Sequence, residues 1–237
     1  HAEGCEKDHA LTGAACLYAA LIPLIPLRWV GSLFLPLSFL YIVALFLILL
    51  RHHERISALQ VSFSFFISLL IPLSLTVSLY LRDRLGPATA LFYILMALSI
   101  AWFSDTSAYF VGRACGKHKL SPLISPKKTV EGAVGGIVGG TACTLLMALC
   151  YQWAAGTFFG LTCEIRYGIL ALLLPLLSVA GILGDLSASV IKRQTGMKDY
   201  GNIMPGHGGV VDRFDSVFFT APCLFFIVRY ITLFRVL

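Results

Sequence analysis

The sequence predicts an all-α, polytopic membrane protein. Three observations carry that reading: the composition, a succession of long uncharged runs, and the confinement of most charge to two loops. Of 237 residues, 58% are hydrophobic and 13% charged, and the mean hydropathy is +0.85. A soluble domain carries about 45–50% apolar and about 25% charged residues, because a globule of this size needs a polar surface. Lipid removes that need. Inside lipid, every backbone polar group must be satisfied within its own segment or a closed barrel, so an open sheet is excluded and helices remain.

A spanning helix takes about 20 apolar residues. Uncharged runs cover 10–27, 29–50, 56–81, 85–104, 132–153 and 167–184, and a shorter one covers 216–228. The last is short, but Arg229 and Arg235 can snorkel to the interface and let it cross. Seven spans are therefore expected. Residues 1–100 read as N-terminal transmembrane helices, and 101–237 as a catalytic transmembrane region with polar loops at 112–131 and 192–213. The chain begins at His1 on a polar stretch with no basic segment leading into an apolar core, so no signal peptide is expected. The absent initial methionine reads as a chain trimmed at its N-terminus.

The net charge is +6 and the pI about 9.0. No basic stripe with interleaved aromatics accompanies that excess, so nucleic acid is not an expected partner. Counting Lys and Arg in alternate loops places twelve on one side and six on the other. The twelve-residue side should face the cytosol, and it carries both long loops. The seven cysteines are odd in number, form no CxxC pair and lie mostly in apolar runs. They read as small hydrophobes rather than a disulfide or zinc framework.

Charge inside an apolar run needs a reason, since an ionisable side chain at a helix centre costs about 2.5–3.5 kcal/mol on insertion scales. Asp105 continues the fourth run and reads either as a wet helix end or as the wall of a polar cavity. Asp185 closes the sixth. If that helix continues, Asp185, Ser189 and Lys192 fall at i, i+4 and i+7 on one face, able to hold a divalent ion beside a phosphate. The alternative is an internal ion pair between Asp185 and Lys192. Lys192 and Arg193 alone would be an ordinary cytoplasmic flank, but Lys198, Asp199, His207, Gly208, Gly209, Asp212, Arg213 and Asp215 follow. Glycines there let backbone amides approach a ligand. Aspartates aimed from two helices toward basic groups suit Mg²⁺, which takes a few carboxylates plus phosphate oxygens. His207 reads as a hydrogen-bonding loop residue before it reads as a base or a zinc ligand. Acids at a helix start also complement its dipole.

The other loop is no P-loop, since the GxxxxGK[ST] order is absent. Its Lys127-Lys128-Thr129 opens the next helix, where an anion is favoured, so Lys127 and Lys128 read as phosphate contacts or as cytoplasmic lysines. Behind them Gly132, Gly136 and Gly140 stand at i, i+4 and i+8, a stripe for close helix packing.

Taken together, Ser189-Val190-Ile191-Lys192-Arg193, Lys198-Asp199 and the run from Pro205 to Asp215 resemble the signature of phosphatidate cytidylyltransferases. The stretches 104–113 and 124–132 resemble segments of the same family, and similarity is clear from about residue 100 onward. Met204 stands where that family usually has Leu, Ile or Phe. The resemblance implies transfer of CMP from CTP to phosphatidic acid, giving CDP-diacylglycerol and pyrophosphate. It further implies additional N-terminal helices before this chain, Mg²⁺ with K⁺ assisting, a homodimer of polytopic subunits, and a bacterial inner membrane with the site at its cytoplasmic face. Matched to the motif, Asp185 and Asp212 are the implied metal ligands, with Ser189 and Lys192 on phosphate. Asp105, Lys127, Lys128, Arg193, Lys198, Asp199, His207, Gly208, Gly209, Arg213 and Asp215 complete the expected substrate site. A CTP-dependent polyprenol or lipid kinase is the nearest rival. A CDP-alcohol phosphotransferase is disfavoured because its DGxxAR…GxxxDxxxD pattern is absent. A transporter would show repeated halves or paired broken helices, and neither is present in the sequence.

Overall fold

The computed structural model describes residues 9–25, 29–194, 196, 209 and 211–236. Helices α1 (His9–Leu21), α2 (Val30–Arg51) and α3 (Ala58–Leu85) come first. Then follow α4 (Pro87–Cys115), strands β1 (Lys119–Ser121) and β2 (Ser125–Thr129), and α5 (Val130–Phe159). Strand β3 (Cys163–Ile165), α6 (Tyr167–Gln194), the short α7 (Val211–Phe214), α8 (Val217–Tyr230) and β4 (Phe234–Val236) complete the order. Among the described residues, five helices are long and apolar enough to cross a membrane: α2 to α6. The first and last of the seven expected spans are shorter. The helical run from His9 ends at Leu24, and α8 has 14 residues.

The chain divides into two compact units, one up to Asp83 and one from Arg84. The sequence division at residue 100 falls inside α4, because it marks where polar side chains begin rather than where a helix begins. In the first unit, Tyr18 and Tyr41 stack at 4.1 Å between ring centroids, and Phe65 lies 6.0 Å from Tyr41. Their hydroxyls are satisfied locally: Tyr18 shares a hydrogen bond with Ser38 at 2.7 Å, and Tyr41 with Ser68 at 2.8 Å. Leu11, Leu45, Ile56 and Val61 close this small core.

The second unit is a bundle of α4, α5, α6 and α8. Between helices in lipid there is little hydrophobic gain, so close packing and polar contacts hold them together. The glycine stripe on α5 supplies the first. A methyl group added at Gly136 would lie 2.8 Å from the Ser104 carbonyl oxygen, and one at Gly132 would lie 2.8 Å from that of Ala108. The backbones of α4 and α5 therefore touch where any other residue would push them apart. Gly184 on α6 plays the same part against the Asp215 carbonyl and the Phe219 ring. Ser104 and Ser178 share a buried 2.6 Å hydrogen bond between α4 and α6. Trp102 Nε1 donates to the Arg213 carbonyl at 3.1 Å. Pro175 and Pro222 sit inside α6 and α8, which a helix packed among neighbours tolerates.

Two antiparallel ribbons interrupt the all-α expectation. The pair β1–β2 joins α4 to α5, and β3 pairs with β4 beyond the start of α6. Both lie outside the spanning helices, so the rule against open sheet edges in lipid does not reach them. Tyr93 of α4 ties the second ribbon down, its hydroxyl accepting from the Leu233 and Phe234 amides at 3.3 and 3.2 Å. The polar loop expected at 112–131 is shorter than its charge suggested. Residues 112–115 stay helical even through Gly112, which packs against Gly132, Gly116 ends α4 by donating to the Gly112 carbonyl, and the connection runs 116–129. At the other loop, α6 continues to Gln194 and Val211–Phe214 form a turn of helix.

Candidate active site

A cavity of about 350 Å³ opens between the C-terminal half of α4, the start of α5, the middle of α6 and the β1–β2 ribbon. Asp105, Tyr109 and Arg113 line it from one face of α4, spaced four residues apart. Lys127 and Lys128 reach it from β2, and Asp185 with Ile182 from α6. The small residues Ala108, Gly112 and Gly132 form its floor. Asp105 is not a helix end, since α4 runs on to Cys115. Its carboxylate accepts from the Ser216 hydroxyl at 2.8 Å, joining α4 to the start of α8.

The alternative reading, an internal ion pair between Asp185 and Lys192, does not hold. The two side chains share a face of α6 but turn to different partners. Lys128 Nζ contacts Asp185 Oδ2, and Lys192 Nζ donates to Asp212 Oδ1 at 2.8 Å. Seven residues along a helix is about 10 Å of rise, further than this pair could close, whereas β2 and α7 bring opposite charges alongside. Asp212 also accepts from the Gly209 amide at 2.9 Å. Ser189 is half-buried one turn past Asp185, outside the cavity lining. Arg193 Nε donates to the Ile124 carbonyl at 3.3 Å, linking the end of α6 to the ribbon tip. Arg213 has an exposed side chain. Lys198, Asp199, His207 and Gly208 lie outside the described residues.

Asp215 is buried, and its carboxylate accepts from the Ser216 amide at 2.8 Å. Burial pushes its carboxyl up to about 7, with the Asp185 carboxylate adding to the push and Asp105 contributing less; Lys192 opposes them. Asp105, Asp185 and Asp215 thus share one electrostatic neighbourhood with Lys128 and Lys192. Among the described residues, no three His, Cys, Asp or Glu side chains converge closely enough to cage a metal ion. The donor set still fits Mg²⁺, which binds through one or two carboxylates and completes its octahedron with water and substrate phosphate. The Lys128 ammonium on Asp185 marks a place where positive charge is already accommodated.

Two parts of this arrangement were not anticipated from sequence. Tyr109 and Arg113 line the cavity, and the spacing from Asp105 by four and eight residues was a legible signal for them. The second part is a set of contacts at Glu131, whose carboxylate accepts from the backbone amides of Lys117 and His118. Residues that fold onto a ribbon root leave no periodic trace.

A sequence model of the cytidylyltransferase family matches residues 1–231. The chain is 48% identical over 136 residues to the phosphatidate cytidylyltransferase of Bacillus subtilis, covering 57% of this chain and 47% of that protein. It is 45% identical over 134 residues to that of Staphylococcus haemolyticus, covering 56% and 48%. To that of Staphylococcus epidermidis it is 48% identical over 132 residues, covering 56% and 47%. The chain spans about half the length of the curated relatives it matches. Helices fit to cross a membrane, a charged cavity between them, and a match over nearly its whole length agree that the chain belongs to the cytidylyltransferase family.

Proposed function

We propose that this chain transfers CMP from CTP to phosphatidate, forming CDP-diacylglycerol and pyrophosphate at the cytoplasmic rim of a bacterial inner membrane. One observation carries the reading: Arg113, Lys127 and Lys128 face Asp105 and Asp185 across a single cavity set among membrane-type helices. The relatives named above support the choice of reaction. A phosphomonoester is largely dianionic near neutral pH, so the attacking oxygen needs little help from a base. The obstacle is bringing two polyanions together. Lys127, Lys128 and Arg113 lower that repulsion, Lys192 adds charge two turns beyond Asp185 on the same face of α6, and fixed placement sets the line of attack. Lipid tails remain in the bilayer while the headgroup enters the cavity.

Asp185 and Asp212 are the proposed Mg²⁺ ligands, with K⁺ as an assisting cation. The bound Mg²⁺ would supply positive charge at the reacting phosphates. Ser189 and Lys192 are proposed phosphate contacts, and the stretch around Gly209 a nucleotide loop. A homodimer is the proposed assembly.

Labelled CTP, Mg²⁺ and phosphatidate supplied to the purified protein test this. Labelled CDP-diacylglycerol is the expected product; release of a γ-phosphorylated lipid instead would make the protein a kinase, and absence of turnover in folded protein would overturn both. Asp212→Asn, which keeps one acceptor oxygen for its two donors, Lys192 and the Gly209 amide, should lower kcat by at least about a hundredfold in protein that still folds and extracts from the membrane as wild type does. Activity within a few-fold of wild type in that variant would remove Asp212 from the proposed metal site.

A further inference from the structure

Glu131 stands in the first turn of α5 and takes no part in lining the cavity. Its carboxylate nevertheless gathers the approach to the β1–β2 ribbon. Oε2 accepts from the Lys117 amide at 3.1 Å, and both oxygens accept from the His118 amide at 3.2 Å. His118 Nδ1 lies 2.6 Å from Oε1. Strand β1 begins only at Lys119, so the Lys117 and His118 amides precede the ladder and take their acceptor from Glu131 instead.

The same junction is closed from the other side. The Val130 amide donates to the His118 carbonyl at 2.9 Å, and Lys119 pairs with Thr129 across the ribbon. Thr129 caps α5 by accepting from the Gly132 amide at 3.1 Å. Strand β2 therefore runs straight into a capped helix, and the two residues leading into β1 are fastened to that helix by Glu131. Lys128 lies three residues before Glu131, and its ammonium reaches Asp185 on α6. An acid in a first helical turn gains from the helix dipole wherever it points. That general effect does not account for a carboxylate turned onto two amides and an imidazole of the segment that leads into β1.

We infer that Glu131 is a positioning residue: by clasping Lys117 and His118 to the start of α5, it sets Lys127 and Lys128 over the cavity, where they meet anionic phosphate. The inference rests on the function proposed above. A ribbon displaced by about 1 Å at its lysines is enough to cost on the order of a hundredfold in rate.

The test compares the full chain with Glu131→Gln and Glu131→Asp in nanodiscs, by steady-state kinetics with CTP and phosphatidate, thermal unfolding and amide hydrogen exchange. Glu131→Gln keeps one acceptor oxygen and places an NH₂ group against N–H donors. It should lower kcat/KM at least about tenfold, mainly through KM, with the unfolding midpoint within about 2 °C and faster exchange confined to 117–129. Glu131→Asp keeps the charge but shortens the reach, and should lose activity too; a residue serving only the helix dipole would tolerate it. Kinetics within twofold of wild type for both variants, or faster exchange throughout α4 and α5, would overturn the assignment. Should Glu131→Gln fail to insert, His118→Ala decides: a loss of about threefold or more with exchange rising only in 117–129 supports the clasp, and wild-type behaviour overturns it. Wild-type protein that makes no CDP-lipid would instead overturn the functional reading, while the exchange data still report on the clasp.

Discussion

Asp215 is the residue where burial and charge meet most directly. It sits between α7 and α8 with the Asp185 and Asp105 carboxylates near and Lys192 as the opposing charge, and its carboxyl titrates at about 7. An unfolded aspartate titrates at about 3.9, so the folded state favours the protonated form. Stability from this group is complete below pH 4 and is lost as pH rises through about 7, because the unfolded chain ionises freely above pH 4 while the folded chain must either keep the proton or hold a buried carboxylate. Chelated protein should therefore lose stability between pH 4 and pH 8, by on the order of a few kcal/mol from this side chain. Asp215→Asn carries no such charge and should flatten that slope, ending more stable than wild type at pH 8. Thermal unfolding of both proteins across the pH range checks it, and parallel slopes would show that Asp215 ionises without cost.

At the scale of elements, α4 and α5 are held by close approach rather than by side-chain bulk. Gly136 faces the Ser104 carbonyl and the Ala108 methyl, and an added Cβ would meet them at 2.8 and 3.0 Å. Backbone cannot swing away as a side chain can, so Gly136→Ala should cost roughly 1–3 kcal/mol. Val138 on the same helix is 64% exposed, and Val138→Ala should stay within about 0.5 kcal/mol. Equal unfolding midpoints for the two variants in one detergent would refute a contact-limited α4–α5 interface. This stripe was legible because small residues at i, i+4 and i+8 repeat along one helix face. The face shared by Asp185 and Lys192 was legible for the same reason. Their partners were not: Lys128 and Asp212 arrive from a ribbon and a short helix, and pairing across 57 and 20 residues leaves no local pattern. The ribbons were missed because 116–129 and 163–165 are short and lack alternation, and because the argument against sheets holds only inside lipid.

At the largest scale, the unit from Arg84 has two ends, and they differ. In the unit from Arg84, α4, α5 and α6 follow one another through connections of a few to about a dozen residues. The β1–β2 ribbon therefore lies at the end where α4 stops and α5 starts. The β3–β4 ribbon lies at the other end, where α5 stops and α6 starts. Arg113, Lys117, Lys119, Lys127, Lys128, Lys192 and Arg193 gather at the first end, against Arg84, Arg166, Arg229 and Arg235 at the second. The lysine-rich end should face the cytosol, and with it the cavity, since the lining residues Lys127 and Lys128 belong to that ribbon. Leu123, at the tip of the first ribbon, is almost fully exposed. Glu164, in the second, is also exposed. In a chain with its native cysteines replaced by alanine, Leu123→Cys should react with a membrane-impermeant maleimide only in inside-out vesicles. Glu164→Cys should react only in right-side-out vesicles or intact spheroplasts. Reversal of both patterns would turn the protein over and put the cavity out of reach of cytosolic CTP. Reaction of both from one side would break the odd number of crossings between the ribbons and with it the assignment of α5 as a span.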